Sequence, residues 1–476
     1  MRIAMIASEA APYVKTGGLG DVMQALPPEL AKIRGNEVVL ILPLYKKLKH
    51  GDQFELEAVG SFTMDLAWRE SYVGIFRLKS RKKKLQVYFI DNDYYFGGRN
   101  NVYGDFDDGE RFAYFSKAAM AALYFLDFKP DVLHCHDWQA AMATVYCKAL
   151  YKNWCPNCKT VFTIHNVEYQ GWAEAGFFEN TLGLPEEFRS VMTFGGAVNF
   201  MKGAIVSADL VSTVSRSYSK ELCDPYYAHK LDDILRNSRL TGIVNGIDTG
   251  VYDPETDPAL KHHFNAEDLS GKKSCKLALQ REMGLDINTD APILAMVTRL
   301  AGHKGIDLLC YISRRLVEKN IQLVIVGTGE KQYEYALSLL AKENPGKVAV
   351  RLAFDPALAS RVYAGADLYL MPSKSEPCGL SQIIAMRYGT VPIVAATGGL
   401  RDTVPPYNPE TKEGRGFTFQ SYNGEDFLDA INRAVEMYET DREGFLALAK
   451  RDMKIDFSWR VPAGEYMQLY KELLAE

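Results

Sequence analysis

Residues 367–388 read DLYLMPSKSEPCGLSQIIAMRY. Asp367 to Met371 form a short, nearly continuous apolar run, the pattern of a strand buried on both faces. Pro372, Pro377 and Gly379 break it, and helical periodicity takes over across Leu380–Tyr388. A buried strand, a polar loop and a helix make half of a βαβ unit. This stretch therefore implies a parallel sheet with helices on its faces.

The same signature recurs on either side. Apolar runs at Pro292–Thr298, Gln322–Val326, Val348–Leu352 and Val391–Ala395 are each followed by a helical pattern, as over Gly305–Glu318. Further back, candidate strands fall at Arg2–Ser8, Glu37–Leu42, Leu85–Asp91, Asp131–Cys135, Thr160–Ile164 and Leu210–Val214. Helical stretches such as Gly109–Leu126 and Trp138–Tyr151 lie between them. From roughly Asn245 to Thr289 periodicity weakens and Asp, Pro and Lys accumulate, which marks a boundary. The expected fold is α/β, two doubly wound Rossmann-like domains facing a deep cleft, with ligands at the carboxyl ends of the strands.

Length and composition agree. A chain of 476 residues, 47% hydrophobic and 24% charged, is a globular protein of about two domains. Lys and Arg total 55 against 60 Asp and Glu, a formal charge of -5, which offers no footprint for nucleic acid or anionic membrane. The basic run Arg81-Lys82-Lys83-Lys84 reads as a solvated turn before a strand. Met1 to Glu9 reads as a strand and not a signal peptide, and no apolar stretch reaches the length of a membrane span. The eight cysteines follow no regular spacing, and Cys135, Cys147 and Cys310 sit in apolar surroundings. Reduced thiols and a cytoplasmic location are expected.

Chemistry concentrates at strand ends. Lys15-Thr16-Gly17-Gly18-Leu19-Gly20-Asp21 follows the first strand, and a helix is expected to begin near Asp21. Glycines there admit close approach by a ligand, helix-start amides attract phosphate, and Lys15 adds charge. Met23 stands where a dinucleotide fingerprint needs its third glycine, so an NAD site is disfavoured and a plain tight turn stays open. His134-Cys135-His136-Asp137-Trp138 ends another strand. His134 and His136 share a face and could, with Cys155 and Cys158, hold a metal, although one Cys-x-x-Cys alone is weak support. Structural histidines are the stronger reading. Asp137 and, after the next strand, His165 reach the ligand end.

In the second half, Arg299 and Lys304 flank a strand–loop–helix turn and can converge on one anion, or remain two surface cations. Glu376 is placed to accept hydrogen bonds from sugar hydroxyls, and amides near Cys378 and Gly379 begin a helix. Gly327-Thr328-Gly329 and Gly398-Gly399-Leu400 add strand-end glycine turns.

Taken in order, these motifs resemble the bacterial glycogen and plant starch synthases over almost the whole chain. Lys15-Thr16-Gly17-Gly18-Leu19 and Glu376-Pro377-Cys378-Gly379-Leu380 carry the resemblance most specifically. His136-Asp137-Trp138, His165-Asn166, Val244-Asn245-Gly246-Ile247-Asp248, Thr397-Gly398-Gly399-Leu400 and Asp456-Phe457-Ser458-Trp459 follow the family's order. The likeness is weakest over Gly51–Lys84 and Asp257–Lys276. It implies a GT-B fold, with residues 1–245 plus 457–476 as an acceptor-side domain and 246–456 as a nucleotide-sugar domain. It also implies ADP-glucose as donor, an α-1,4-glucan as acceptor, retention of configuration, and neither cofactor nor catalytic metal.

By the same resemblance His165, Asp137, Arg299, Lys304 and Glu376 are the catalytic set. Lys15, Gly17, Gly18, Asp21, Asn245, Phe354, Cys378, Gly379, Leu380 and Ser381 contact substrate, with Phe354 offering the adenine a stacking face. Departures are Tyr227 to Asp233, which lacks the two glycines common there, Lys374-Ser375 in place of Arg-Phe, and His303 in place of Gln. Rival readings are a related transferase using UDP-glucose or a smaller acceptor, an inactive glucan-binding protein, and a metal hydrolase on His134, His136, Cys155 and Cys158.

Overall fold

The computed structural model describes residues 1–80 and 84–476, so Arg81, Lys82 and Lys83 of the basic run lie outside the described residues. The chain forms two compact units, residues 1–246 with 459–476, and residues 247–458.

The strands of the first unit begin with β1 (Arg2–Ile6), β2 (Glu37–Pro43), β3 (Leu56–Leu66), β4 (Arg69–Leu78), β5 (Leu85–Asp91) and β6 (Val132–His136). They continue with β7 (Lys159–Ile164), β8 (Trp172–Ala173), β9 (Thr193–Phe194), β10 (Ala197–Asn199), β11 (Leu210–Thr213) and β12 (Leu240–Gly242). Nine of them build one sheet in the order β12-β11-β7-β6-β1-β2-β5-β4-β3. The pairs from β12 to β5 are parallel, and β4 and β3 extend the edge antiparallel. Buried Ile3, Met5, Val38, Leu40 and Leu42 face helix Gly18–Lys32 and the terminal helix Arg460–Ala475 in one core. Helices are needed on both faces because each parallel crossover lays one there.

The β3–β4 hairpin is absent from the sequence reading. Its strands carry mostly half-buried and exposed residues, Met64, Leu66 and Val73–Ile75 apart. An edge ribbon with one wet face looks like this.

The second unit contains β13 (Ile293–Val297), β14 (Gln322–Val326), β15 (Val348–Arg351), β16 (Leu368–Met371), β17 (Val391–Ala395) and β18 (Phe417–Phe419). All six are parallel, in the order β15-β14-β13-β16-β17-β18. Asp367, just before β16, accepts the Ile293 amide at 2.9 Å and pairs with buried Lys276 at 2.8 Å. That seats β16 beside β13.

The return to the first unit begins at Trp459, two residues later than the sequence reading places it. Ile247 N donates to Phe457 O at 2.8 Å and Ile247 bridges Ser458, so Phe457 and Ser458 stay with the second unit.

His134 shows what the terminal helix contributes. Its ring nitrogens meet Tyr470 Oη at 2.7 Å and Thr163 Oγ1 at 2.6 Å, all three residues being fully buried. Burial holds the ring neutral, with its pKa lowered to about 3. A neutral imidazole uses one nitrogen as donor and the other as acceptor, so both are satisfied. Tyr470→Phe strands one nitrogen and is expected to destabilise the protein by about 1–3 kcal/mol. Urea titration checks this, and an unchanged midpoint would mean that the bond contributes nothing.

Candidate active site

Doubly wound sheets bind ligands where the strand order reverses, outside the carboxyl ends. In the second unit β13 leads outward to β14 and β15, and the chain then returns to β16 on the other side. The switch point lies between β13 and β16. A crevice opens there, lined by Thr298, Lys304, Ser373, Glu376, Gly379, Leu380 and Ser381 among others.

Within it Lys304 Nζ lies 2.7 Å from Glu376 Oε2, and Ser373 Oγ donates to the same oxygen at 3.0 Å. Glu376 is only 8% exposed, so burying its carboxylate calls for polar partners of this kind. Two glycines make the loops fit. Gly305 sits at φ 77° as the N-cap of helix Ile306–Val317, where an added Cβ would lie 2.0 Å from Pro372 O. At Gly399 a Cβ would come within 2.4 Å of Cys378 Cα, and the glycine amide donates to Glu376 O at 3.0 Å. Gln382 Nε2 ties Cys378 O and Gly379 O to Thr403 Oγ1 at 2.9–3.1 Å. The 376–379 loop is therefore held from below by side chains and from beside by the Gly398–Thr403 helix.

The first unit has its own switch point, between β1 and β6. Asp137 follows β6 at φ 56°, ψ 176°, a conformation close to glycine-only and costing about 1–3 kcal/mol. Its amide donates to Thr163 O at 2.9 Å, and its carboxylate accepts the His165 and Asn166 amides at 2.7 and 3.4 Å. Burial outweighs these bonds and lifts the carboxyl to about 7. His136 Nδ1 and His165 Nε2 are 3.0 Å apart, and burial keeps both rings neutral, His165 at about 3.

After β1, Lys15 pairs with Asp21 at 2.6 Å, while buried Glu9 accepts Thr16 N and Oγ1 at 2.5 and 2.9 Å. Helix Gly18–Lys32 starts at Gly18, earlier than the expected Asp21, with Gly17 as a cap that has no side-chain partner. An added Cβ at Gly18 would meet nothing within 4 Å, so packing does not demand that glycine.

Comparison with known proteins gives these two switch points a context. The family profile described as starch synthase catalytic domain matches residues 2–237, and that of glycosyl transferases group 1 matches 282–444. The glycogen synthase of Bacillus cereus (strain B4264) is 45% identical over 482 residues, covering 100% of both chains. That of Exiguobacterium sibiricum is 44% identical over 99% of each. The chain belongs to the glycogen and starch synthase family. The catalytic domain of starch synthase IV from Arabidopsis thaliana, solved bound to ADP and acarbose, superposes with a TM-score of 0.91 at 34% identity. It covers 100% of this chain and 99% of that one. Sucrose-phosphate synthase from Thermosynechococcus elongatus, at 18% identity over 100% and 99% of the two chains and a TM-score of 0.61, shares the fold alone.

Within this glycogen and starch synthase fold, most residues named from sequence gather at the two switch points. In the first unit these are Lys15, Gly17, Gly18, Asp21, Asp137 and His165. In the second, Lys304, Glu376, Gly379, Leu380 and Ser381 line the crevice, with buried Cys378 beside them. Arg299 is exposed just past β13. Asn245 is buried, three residues beyond β12. Phe354 follows edge strand β15, two strands or about 10 Å from β13. It is 85% exposed, an unusual position for a bare ring and a suitable one for stacking.

The combined His–Cys metal reading fails on geometry. His134 and His136 are engaged with Tyr470, Thr163 and His165, whereas Cys155 and Cys158 gather with Cys147 instead. Sequence reasoning also missed Glu9, Ser373 and Gln382. Glu9 alone left a signal, an acidic residue directly after the first strand.

Proposed function

We propose that this chain transfers glucose from ADP-glucose to the non-reducing end of an α-1,4-glucan with retention of configuration. The observation that carries the reading is full-length likeness to glycogen synthases at 45% identity, with the Lys304–Glu376 pair at the β13/β16 switch point. ADP in the starch synthase IV structure favours an adenine nucleotide.

The second unit takes the donor. Arg299, Lys304 and helix-start amides near Gly379 meet the negative charge that builds on the departing diphosphate, the kind of stabilisation worth most away from water. Glu376, oriented by Lys304 and Ser373, accepts from glucosyl hydroxyls, and Phe354 stacks on the base. Asp137 and neutral His165 of the first unit address the sugar as it gains oxocarbenium character. The space at Gly18 lets backbone amides approach phosphate, with Lys15 beside them. The acceptor hydroxyl attacks the face that the diphosphate leaves, which preserves configuration without a carboxylate nucleophile.

The test is incorporation of labelled glucose into glycogen from ADP-glucose and from UDP-glucose. Incorporation from ADP-glucose, released again by an enzyme that cleaves only α-1,4 links, is expected. Incorporation from UDP-glucose alone would overturn the donor. Absence from both, with glycogen still bound, would reduce the chain to a binding protein.

A further inference from the structure

Three cysteines meet at the end of the first unit's sheet opposite its switch point. Cys147 lies in the last turn of helix Trp138–Ala149, and Cys155 and Cys158 end a tight turn in which Cys158 N donates to Cys155 O at 3.1 Å. Their Sγ atoms all lie within 4.8 Å of one another, with Cys147 and Cys155 at 4.0 Å. Tetrahedral Zn²⁺, with Zn–S bonds of about 2.3 Å, spaces its thiolates about 3.8 Å apart. Small side-chain rotations therefore suffice to close the set around one ion. Among the described residues this is the one such convergence of ligand atoms.

The surroundings suit a soft or borderline cation. All three thiols are free, and each residue is 3–7% exposed. Apart from one another, their partners are weak, Cys155 donating to Tyr151 O at 3.4 Å and Cys158 to Lys159 O at 3.8 Å. Cys-Pro-Asn-Cys is also a compact turn that presents two sulfurs to one side.

We propose that Cys147, Cys155 and Cys158 form a structural site for one Zn²⁺ ion per chain, with solvent as fourth ligand. Binding forms three Zn–S bonds and releases the three thiol protons, leaving a net charge of -1. The site clamps the connection between helix Trp138–Ala149 and β7. Asp137 precedes the start of that helix and His165 follows the end of β7, so both residues lie at the opposite ends of the two elements, about 20 Å away along the strand. Zinc here steadies the scaffold and takes no part in transfer.

The test uses the full chain, purified under reductant, stripped with chelator and dialysed against Zn²⁺ or Co²⁺. One equivalent of zinc, a raised Tm, and the thiolate charge-transfer and strong visible bands of tetrahedral Co²⁺ are expected. Cys155→Ser and Cys158→Ser should lose the metal and the Tm gain while transfer persists, and Cys223→Ser should keep all three. Should the serine variants misfold, the wild-type cobalt spectrum and zinc protection of three thiols against alkylation decide alone. Substoichiometric zinc, an octahedral cobalt spectrum, or a disulfide among these cysteines in freshly isolated metal-free protein would overturn the proposal.

Discussion

Replacing Lys304 by alanine is expected to lower kcat for glucosyl transfer by about 10²–10³-fold, the scale of losing one preorganised charge-stabilising group. Its ammonium lies 2.7 Å from Glu376 at the switch point of the second unit, where the proposed reaction develops diphosphate charge. An interaction that strengthens as charge develops acts on the transition state more than on bound donor, so kcat should fall more than KM rises. The substitution has a second consequence. It leaves Glu376, 8% exposed, with Ser373 as its remaining side-chain partner, a buried polar group short of one hydrogen bond. Lys304→Arg, which keeps charge but not the compact ammonium, should fall between the two. Steady-state kinetics at saturating glycogen decide the matter. A change confined to KM would mean that Lys304 only binds the ground state.

Asp137→Asn should separate stability from activity, with opposite signs above neutral pH. The Asp137 carboxyl is raised to about 7 by burial, against about 3.9 in an unfolded chain. A raised carboxyl favours folding while protonated. Its contribution is complete below about pH 4 and is lost as pH rises through 7. At pH 8 the ionised group therefore costs on the order of 4 kcal/mol relative to a neutral one, as an upper bound. Asparagine still accepts the His165 and Asn166 amides and carries no charge. The variant should melt higher than wild type at pH 8 and the same at pH 4. Transfer should drop about 10- to 100-fold, the value of a charged hydrogen bond to a hydroxyl. His134 and His165, held neutral down to about 3, add nothing to the change between pH 6.5 and 8. A variant less stable than wild type at pH 8 would contradict the burial argument.

The fold class was legible because parallel strands buried on both faces leave apolar runs that need no partner to be recognised. β13, β14, β16 and β17 are such runs, and the residues bounding them, Arg299, Lys304 and Glu376, could be assigned to strand ends before any contact was known. Their placement follows from chain order alone, since each loop after a parallel strand opens at the same edge of the sheet. The β3–β4 hairpin was not legible, because its solvated face mixes polar and apolar residues.

The tertiary structure alone decided which neighbours those residues have. His134 and Tyr470 are joined at 2.7 Å across 336 positions, and Glu376 accepts from Lys304, 72 positions away. Cys147 completes the sulfur cluster only when the loop to β7 folds back onto the helix end. The sequence by itself determined the alternation of strand and helix, the number of units and the strand ends that carry chemistry, because periodicity and turn residues act over a few positions. Protonation and side-chain pairing were settled by tertiary packing, because burial and charge act through space between residues that no local pattern connects.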